Sequence, residues 1–393
     1  MAHERENDPP FLIFHGGPFY QLQLDAGIAR TDDLNSAVRA IMFVAAAWGV
    51  PLLLAVVAGT ALGPLELRPY LLDPGVWARS FLAIGFLILA ETQVENQLRD
   101  GVKQFFAGQL VTENALGAAR SAMVKALERR NSMWAELICL LFAVTASLLL
   151  LSNTQNQTAS SWAVTVANAQ RSLSAAAWWS VIVSNTLFWF LLSRSVWRHV
   201  IWSLLLLALS RLETRLVATH PDGHAGLAFV GRYPNAYMLF TVAVSSVVSA
   251  AVTHQILHST ITASALGAVM ALSLIALSAY FGIPLLCFVR QILDLKKRTL
   301  LAASTVATNY QRQVERGILG KNVVADDDNA DVHEELADPG KLFEAAKKLS
   351  PMLVTRSTLI PVFAAALLPF VLVGLTQLPF KELLPIVKRL LLL

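Results

Sequence analysis

The chain alternates between long apolar runs and short charged stretches, and no other feature restricts its fold as much. About 20 mainly apolar residues make a helix long enough to cross the hydrocarbon of a bilayer. Backbone inside lipid must also satisfy its own hydrogen bonds, which favours helices. Runs of this kind occupy residues 38–62, 76–90, 134–151, 175–192, 237–252, 261–289 and 359–378. The second is short and then meets Glu91, Glu95 and Asn96. The last contains Pro361 and Pro369, which predict a kink. Residues 201–209 are apolar but too few to span alone, and they read as a continuation of the fourth helix along or just below the membrane surface, with a re-entrant piece as the alternative. The expected fold is all-α, a polytopic membrane helix bundle of about seven transmembrane helices, several of them extended into a cytoplasmic helical layer.

Charge placement sets the orientation. Only 15% of the residues are charged, against about 25% in soluble domains. With the N-terminus inside, 25 of the 31 Lys and Arg fall on the inside, as the positive-inside rule requires. The first thirty residues, with His3, Glu4, Arg5, Glu6 and Asp8, do not read as a cleavable leader. The polar stretch 152–169 then lies outside and holds the triplet Asn156-Gln157-Thr158. Lys381, Lys388 and Arg389, among leucines, predict a short interfacial helix at the end of the chain. The net charge of +4 sits at the ends of apolar runs and is not interleaved with aromatics, which excludes a nucleic-acid surface. Cys139 and Cys287 fall inside apolar runs and read as small buried hydrophobes.

Between the spans, helices outrun the membrane. Val94, Leu98, Val102, Phe105 and Phe106 repeat at helical spacing, and Leu116, Ala119, Met123 and Leu127 form a second stripe after a break at 108–112. The two predict an antiparallel hairpin over 91–133. The sixth helix continues past Arg290 and ends near Gly317, and an amphipathic helix is expected over 341–349. The organisation is a cytoplasmic N-terminal segment (1–37), a membrane bundle (38–318) with the hairpin 91–133 and a loop 194–236, an acidic flexible linker (319–340), and a final amphipathic helix, span and tail (341–393). The halves share no repeated pattern, which counts against an inverted-repeat transporter.

Three groups of residues are candidates for function. Glu91 and Glu95 lie one turn apart at the inner end of the second helix, with Glu136 at a similar depth on the third. A ring of such acids attracts cations in an oligomeric pore, whereas pairing with Arg99 and Arg130 would make them structural. Arg129, Arg130, Lys296, Lys297 and Arg298 form basic faces suited to anionic lipid or to a cytoplasmic partner. The loop 216–229 carries His220, Pro221, Asp222, Gly223, His224 and Gly226. Its alternate His-Asp-His spacing is not that of an established metal site, and a capped turn docking on the cytoplasmic layer is the simpler expectation, with metal or substrate binding as the alternative. His254 and His258, one turn apart, read as a wetted outer loop.

This loop resembles the H-P-D-x-x-G-G-L-x-F signature of a family of uncharacterised bacterial polytopic inner-membrane proteins. Ala225 stands where the first glycine of the pair is expected. The resemblance extends to the Glu91–Arg99 stretch and the basic hairpin, and it implies a bacterial cytoplasmic membrane. It carries no activity with it. The sequence holds no nucleophile elbow, phosphate-binding glycine loop, zinc protease helix or redox cysteine pair, so an enzyme is disfavoured and no cofactor or metal is implied. The expected function is an oligomeric ion channel or pore, assembled as a homo-oligomer in the lipid bilayer. A small-solute or ion transporter is one alternative, and a scaffold or sensor that binds anionic lipid or a cytoplasmic partner is another.

Overall fold

A computed structural model describes residues 10–31, 34–64, 68–156, 160, 162–167, 170–256, 263–320, 339–376 and 379–391. Among the described residues, seven helices are long and apolar enough to cross a membrane, and the protein is an all-α integral membrane bundle. Chain order begins with a short helix α1 (Pro18–Asp25) and the first span, α2 (Ser36–Val57). The second span is α3 (Pro74–Ala107). An extramembrane helix α4 (Leu116–Arg130) leads into the third span, α5 (Met133–Asn156). The fourth is α6 (Ala175–Leu209). A 3₁₀ segment over Val230–Tyr237 opens the fifth, α7 (Met238–Ile256). The sixth, α8 (Ala263–Leu285), runs on into α9 (Val289–Leu319). Helix α10 (Pro339–Lys348) precedes the seventh span, α11 (Arg356–Gly374), and the tail helix α12 (Phe380–Leu390).

Spans α3, α6 and α7 form the centre, and α2, α5 and α8 turn most of their apolar surface outward. Helices α2 and α6 are joined through a defect that proline creates. Pro51 has no N–H, so the carbonyls a turn before it lose their partner and α2 widens into a π-turn over Ala45–Gly49. Trp179 Nε1 donates to the Ala46 carbonyl at 2.9 Å and Ser184 Oγ to that of Ala47 at 2.5 Å. Both donors come from α6 at its own π-turn, Ser180–Asn185. The prolines of the last span, Pro361 and Pro369, lie within one continuous helix.

At 1.5 Å per residue, α3 and α6, with 34 and 35 residues, are each about 50 Å long. They exceed a hydrocarbon core of about 30 Å by roughly 20 Å. Their overhang builds the extramembrane layer. α3 stops at Gly108, a left-handed Gln109 (φ 50°) turns the chain, and α4 packs on α6 through Ala119, Met123 and Ala126. The expected hairpin thus returns as two helices, α4 and α5, broken at Asn131 and Ser132. Residues 201–209 continue the fourth helix as expected. They bury Ile201, Trp202, Leu205, Leu206 and Leu209 in the main core instead of lying along a surface. Helix α9 ends on Gly320 in the left-handed conformation (φ 72°), and α10 packs against it.

The opposite end differs from expectation in one respect. The polar stretch after α5 contains a β-hairpin, β1 (Val164–Ala167) against β2 (Gln170–Leu173), antiparallel with Val164 opposite Leu173. Asp73 accepts from Gly75 N, Ser160 Oγ and Trp162 Nε1 and so pins the hairpin to the start of α3. The tail helix lies against α8 and α11, with Leu383 on Gly374 and Ile386 on Gly267. Gln157, Thr158, His258 and the acidic run 326–338 lie outside the described residues.

Candidate functional site

Helix lengths bring the intramembrane charges to one level. Arg39 is the fourth residue of α2 and Glu136 the fourth of α5. Spans α3 and α6 run the other way and reach this level about 20 residues in, at Glu91 and Glu95 and at Arg194 and Arg198. All six side chains are buried, and Arg39, Arg194 and Arg198 are among the most deeply buried large side chains of the protein.

The charges satisfy one another. Arg194 donates through Nη1 to Glu91 Oε1 at 2.8 Å and through Nε to Glu136 Oε1 at 3.2 Å. Arg198 Nη2 donates to the same Glu136 oxygen at 3.0 Å. Arg39 Nη2 stands 2.7 Å from Glu91 Oε2 as an ion pair. The partners are therefore not those the sequence offered. Arg99 pairs with Asp100 at 3.5 Å, and Arg130 donates to the Leu12 carbonyl. Arg39, Arg194 and Arg198 all belong to this layer. Burying such ions costs several kcal/mol each, and the cost is recovered only when every member is paired.

The N-terminal segment is the remaining part of the layer. Glu95 Oε2 accepts from the amides of Phe14 at 2.7 Å and His15 at 3.2 Å, and its Oε1 lies 2.6 Å from His15 Nδ1. Glu136 Oε2 accepts from the Phe19 amide at 2.7 Å. Arg198 Nη2 donates to the Gly16 carbonyl at 2.9 Å and Nη1 to that of Arg130 at 2.6 Å. Gln23 accepts from Arg39 Nε. The rings of Phe14 and Phe19 cover the Arg194 guanidinium, with centroids 5.7 and 5.3 Å away. Two glycines permit the approach. A Cβ on Gly16 would meet Arg130 and Asn131 at 2.4 Å, and one on Gly17 (φ 91°) would meet Glu136 Oε1 at 2.4 Å. No family model, curated protein or solved structure matches this chain.

Sequence reasoning found the three glutamates and missed Arg39, Arg194, Arg198, Gly16 and Gly17. The signal was present in α6, where two arginines one turn apart stand inside an apolar helix and require carboxylate partners. Chemically, the layer is a latch. Its lone pairs and protons are largely spent on one another and on residues 12–23.

A second carboxylate organises the loop after α6. Asp222 Oδ1 accepts from the amides of His224 at 2.8 Å and Gly226 at 3.1 Å, and Oδ2 accepts from Ala228 at 3.1 Å. His220 Nδ1 lies 2.9 Å from Oδ1. Partial burial pushes the Asp222 pKa up, but the backbone amides of His224, Ala228 and Gly226 together with His220 outweigh it and hold the carboxyl below its ordinary value. Gly223, Ala225 and Gly226 are all left-handed, with φ 69°, 59° and 92°. Ala225 therefore adopts the conformation of the glycine it replaces. His224 contributes its amide to the turn. Among the described residues no group of three or more His, Cys, Asp or Glu could hold a metal ion.

The basic candidates separate. Lys296 Nζ donates to the carbonyls of Lys347 at 2.8 Å and Leu349 at 2.7 Å and so caps the end of α10. Lys297, Arg298 and Arg129 are exposed, and Arg130 is half-buried against the N-terminal segment.

Proposed function

We propose that the protein is a membrane-embedded sensor or scaffold of the bacterial inner membrane, with its N-terminus and its basic helical layer in the cytoplasm. One observation carries the reading: the three carboxylates that a pore would present at the inner membrane face are engaged by arginines and by N-terminal backbone. What is left for outside partners is the extramembrane layer. There Arg129, Lys297 and Arg298 offer exposed positive charge to anionic headgroups or an acidic protein surface. The positive-inside bias of the chain supports the orientation.

An oligomeric ion channel is the second reading. It is favoured by the outward apolar faces of α2, α5 and α8, which suit neighbouring subunits as well as lipid. Bilayer recording on the reconstituted protein, with native mass spectrometry, separates the two. The sensor reading predicts a monomer or dimer and no conductance above that of a protein-free bilayer. A closed ring of four or more copies, with a conductance changed by Glu91→Gln, would overturn it in favour of the channel.

A further inference from the structure

We infer that the loop after α6 forms a binding site for a small phosphate- or carboxylate-bearing solute. The inference goes beyond the sensor reading and does not depend on it, because a channel could carry the same site. A pocket of about 300 Å³ lies between the end of α3 and this loop, lined by Gln104, Gly108, Arg215, His220, Asp222 and Arg232 among others. Pockets of this size suit small organic ligands.

Arg215 and Arg232, both exposed, line the pocket, and among the described residues neither has a side-chain ion pair. This is unlike the charge layer, where Arg39, Arg194 and Arg198 are each ion-paired with a buried glutamate. A planar guanidinium matches the oxygen spacing of phosphate and carboxylate and binds them through paired hydrogen bonds. Asp222 is the one acid in the lining, and its oxygens already accept three amides and face His220. Its role is to hold the loop, so the positive charge of the two arginines remains available. The Gln104 side chain can add a neutral donor.

Position favours a dissolved ligand over a headgroup. Gln104 lies thirteen residues beyond Glu91 on α3, about 20 Å farther along the helix axis, well past the charge layer. The shared chemistry is an anionic oxygen cluster, and the source is tested directly.

The full-length protein in phosphatidylcholine nanodiscs is titrated with sodium pyrophosphate at fixed ionic strength, and the thermal-unfolding midpoint is followed. The expected result is a saturable rise in the wild type and in Arg211→Ala, whose exposed side chain lies outside the pocket lining. The apparent affinity should fall at least tenfold in Arg215→Ala/Arg232→Ala, with Arg215→Ala alone as the milder variant should the pair fail to fold. A parallel series without pyrophosphate uses nanodiscs containing phosphatidylglycerol. A midpoint rise there that the arginine substitutions abolish keeps the site and assigns the anion to a headgroup. No saturable rise with either anion, or a rise that the substitutions leave unchanged, overturns the inference.

Discussion

Glu136 and Asp222 use the same chemistry at two ranges. Each carboxylate collects backbone amides and a cationic or imidazole neighbour. Asp222 takes all of its partners from residues 220–228. Glu136 takes its partners from Phe19, Arg194 and Arg198, so it ties the N-terminal segment and α6 to α5. The first assembly shapes one loop, and the second determines how separate parts of the chain pack. Burial sharpens the difference. Glu136 and its arginines are shut away from water, whereas the Asp222 turn is half-exposed, and a lost partner costs far more where water cannot replace it.

The largest test removes a shared partner. Arg194→Leu leaves both Glu91 and Glu136 short of a guanidinium, and it is expected to destabilise the bundle by about 3–5 kcal/mol or to abolish recovery of folded protein in size-exclusion chromatography. Near-wild-type unfolding in this variant would break the contrast with the loop. Gly17→Ala should cost about 2–3 kcal/mol, since it adds a side chain at positive φ and drives it against Glu136. Thermal unfolding with Gly27→Ala as a control, which adds the same methyl at positive φ (70°) with nothing within 4 Å, would separate the clash from the backbone strain.

For the loop, Asp222→Asn should cost about 1–2 kcal/mol at neutral pH. The sign of its pH dependence follows from the depressed carboxyl. The stabilisation is complete above the ordinary value of 3.8 and is lost as pH falls through the lower folded value. Amide exchange over residues 222–228 should therefore differ between wild type and variant at pH 7 and converge in acid once the pH is below the depressed folded value. The smallest effect is expected for Ala225→Gly. Relief of the left-handed conformation is worth about 1 kcal/mol, and loss of the buried methyl offsets about 0.8 kcal/mol of it. A net stabilisation within about 0.5 kcal/mol in chemical unfolding is the outcome that fits.

What could be read from the sequence follows the same division by range. The spans were legible because an apolar run declares itself residue by residue, and the capped turn at Asp222 was legible because Pro221, Gly223 and Gly226 lie beside it. The overhang of α3 showed in the Val94–Phe106 stripe. Pairing across the bundle was not legible: which of several arginines meets Glu91 depends on helix length and direction, and Arg39 and Arg194 are 52 and 103 residues away from it. The clamped N-terminal segment was missed for the same reason. Residues 10–31 hold apolar side chains such as Phe11–Phe14 but no run long enough to span, and only Gly16 and Gly17 hint that backbone must approach something closely. The π-turn at Ala45–Gly49 could have been anticipated from Pro51.

The central claim is that a buried charge layer holds residues 12–23 inside the bundle. Hydrogen exchange of the Phe14 and Phe19 amides, which donate to Glu95 and Glu136, tests it most directly. The account predicts strong protection of both in the wild type, with Phe19 losing it in Glu136→Leu, which removes the acceptor. Exchange of both amides at the unprotected rate in the wild type would contradict it.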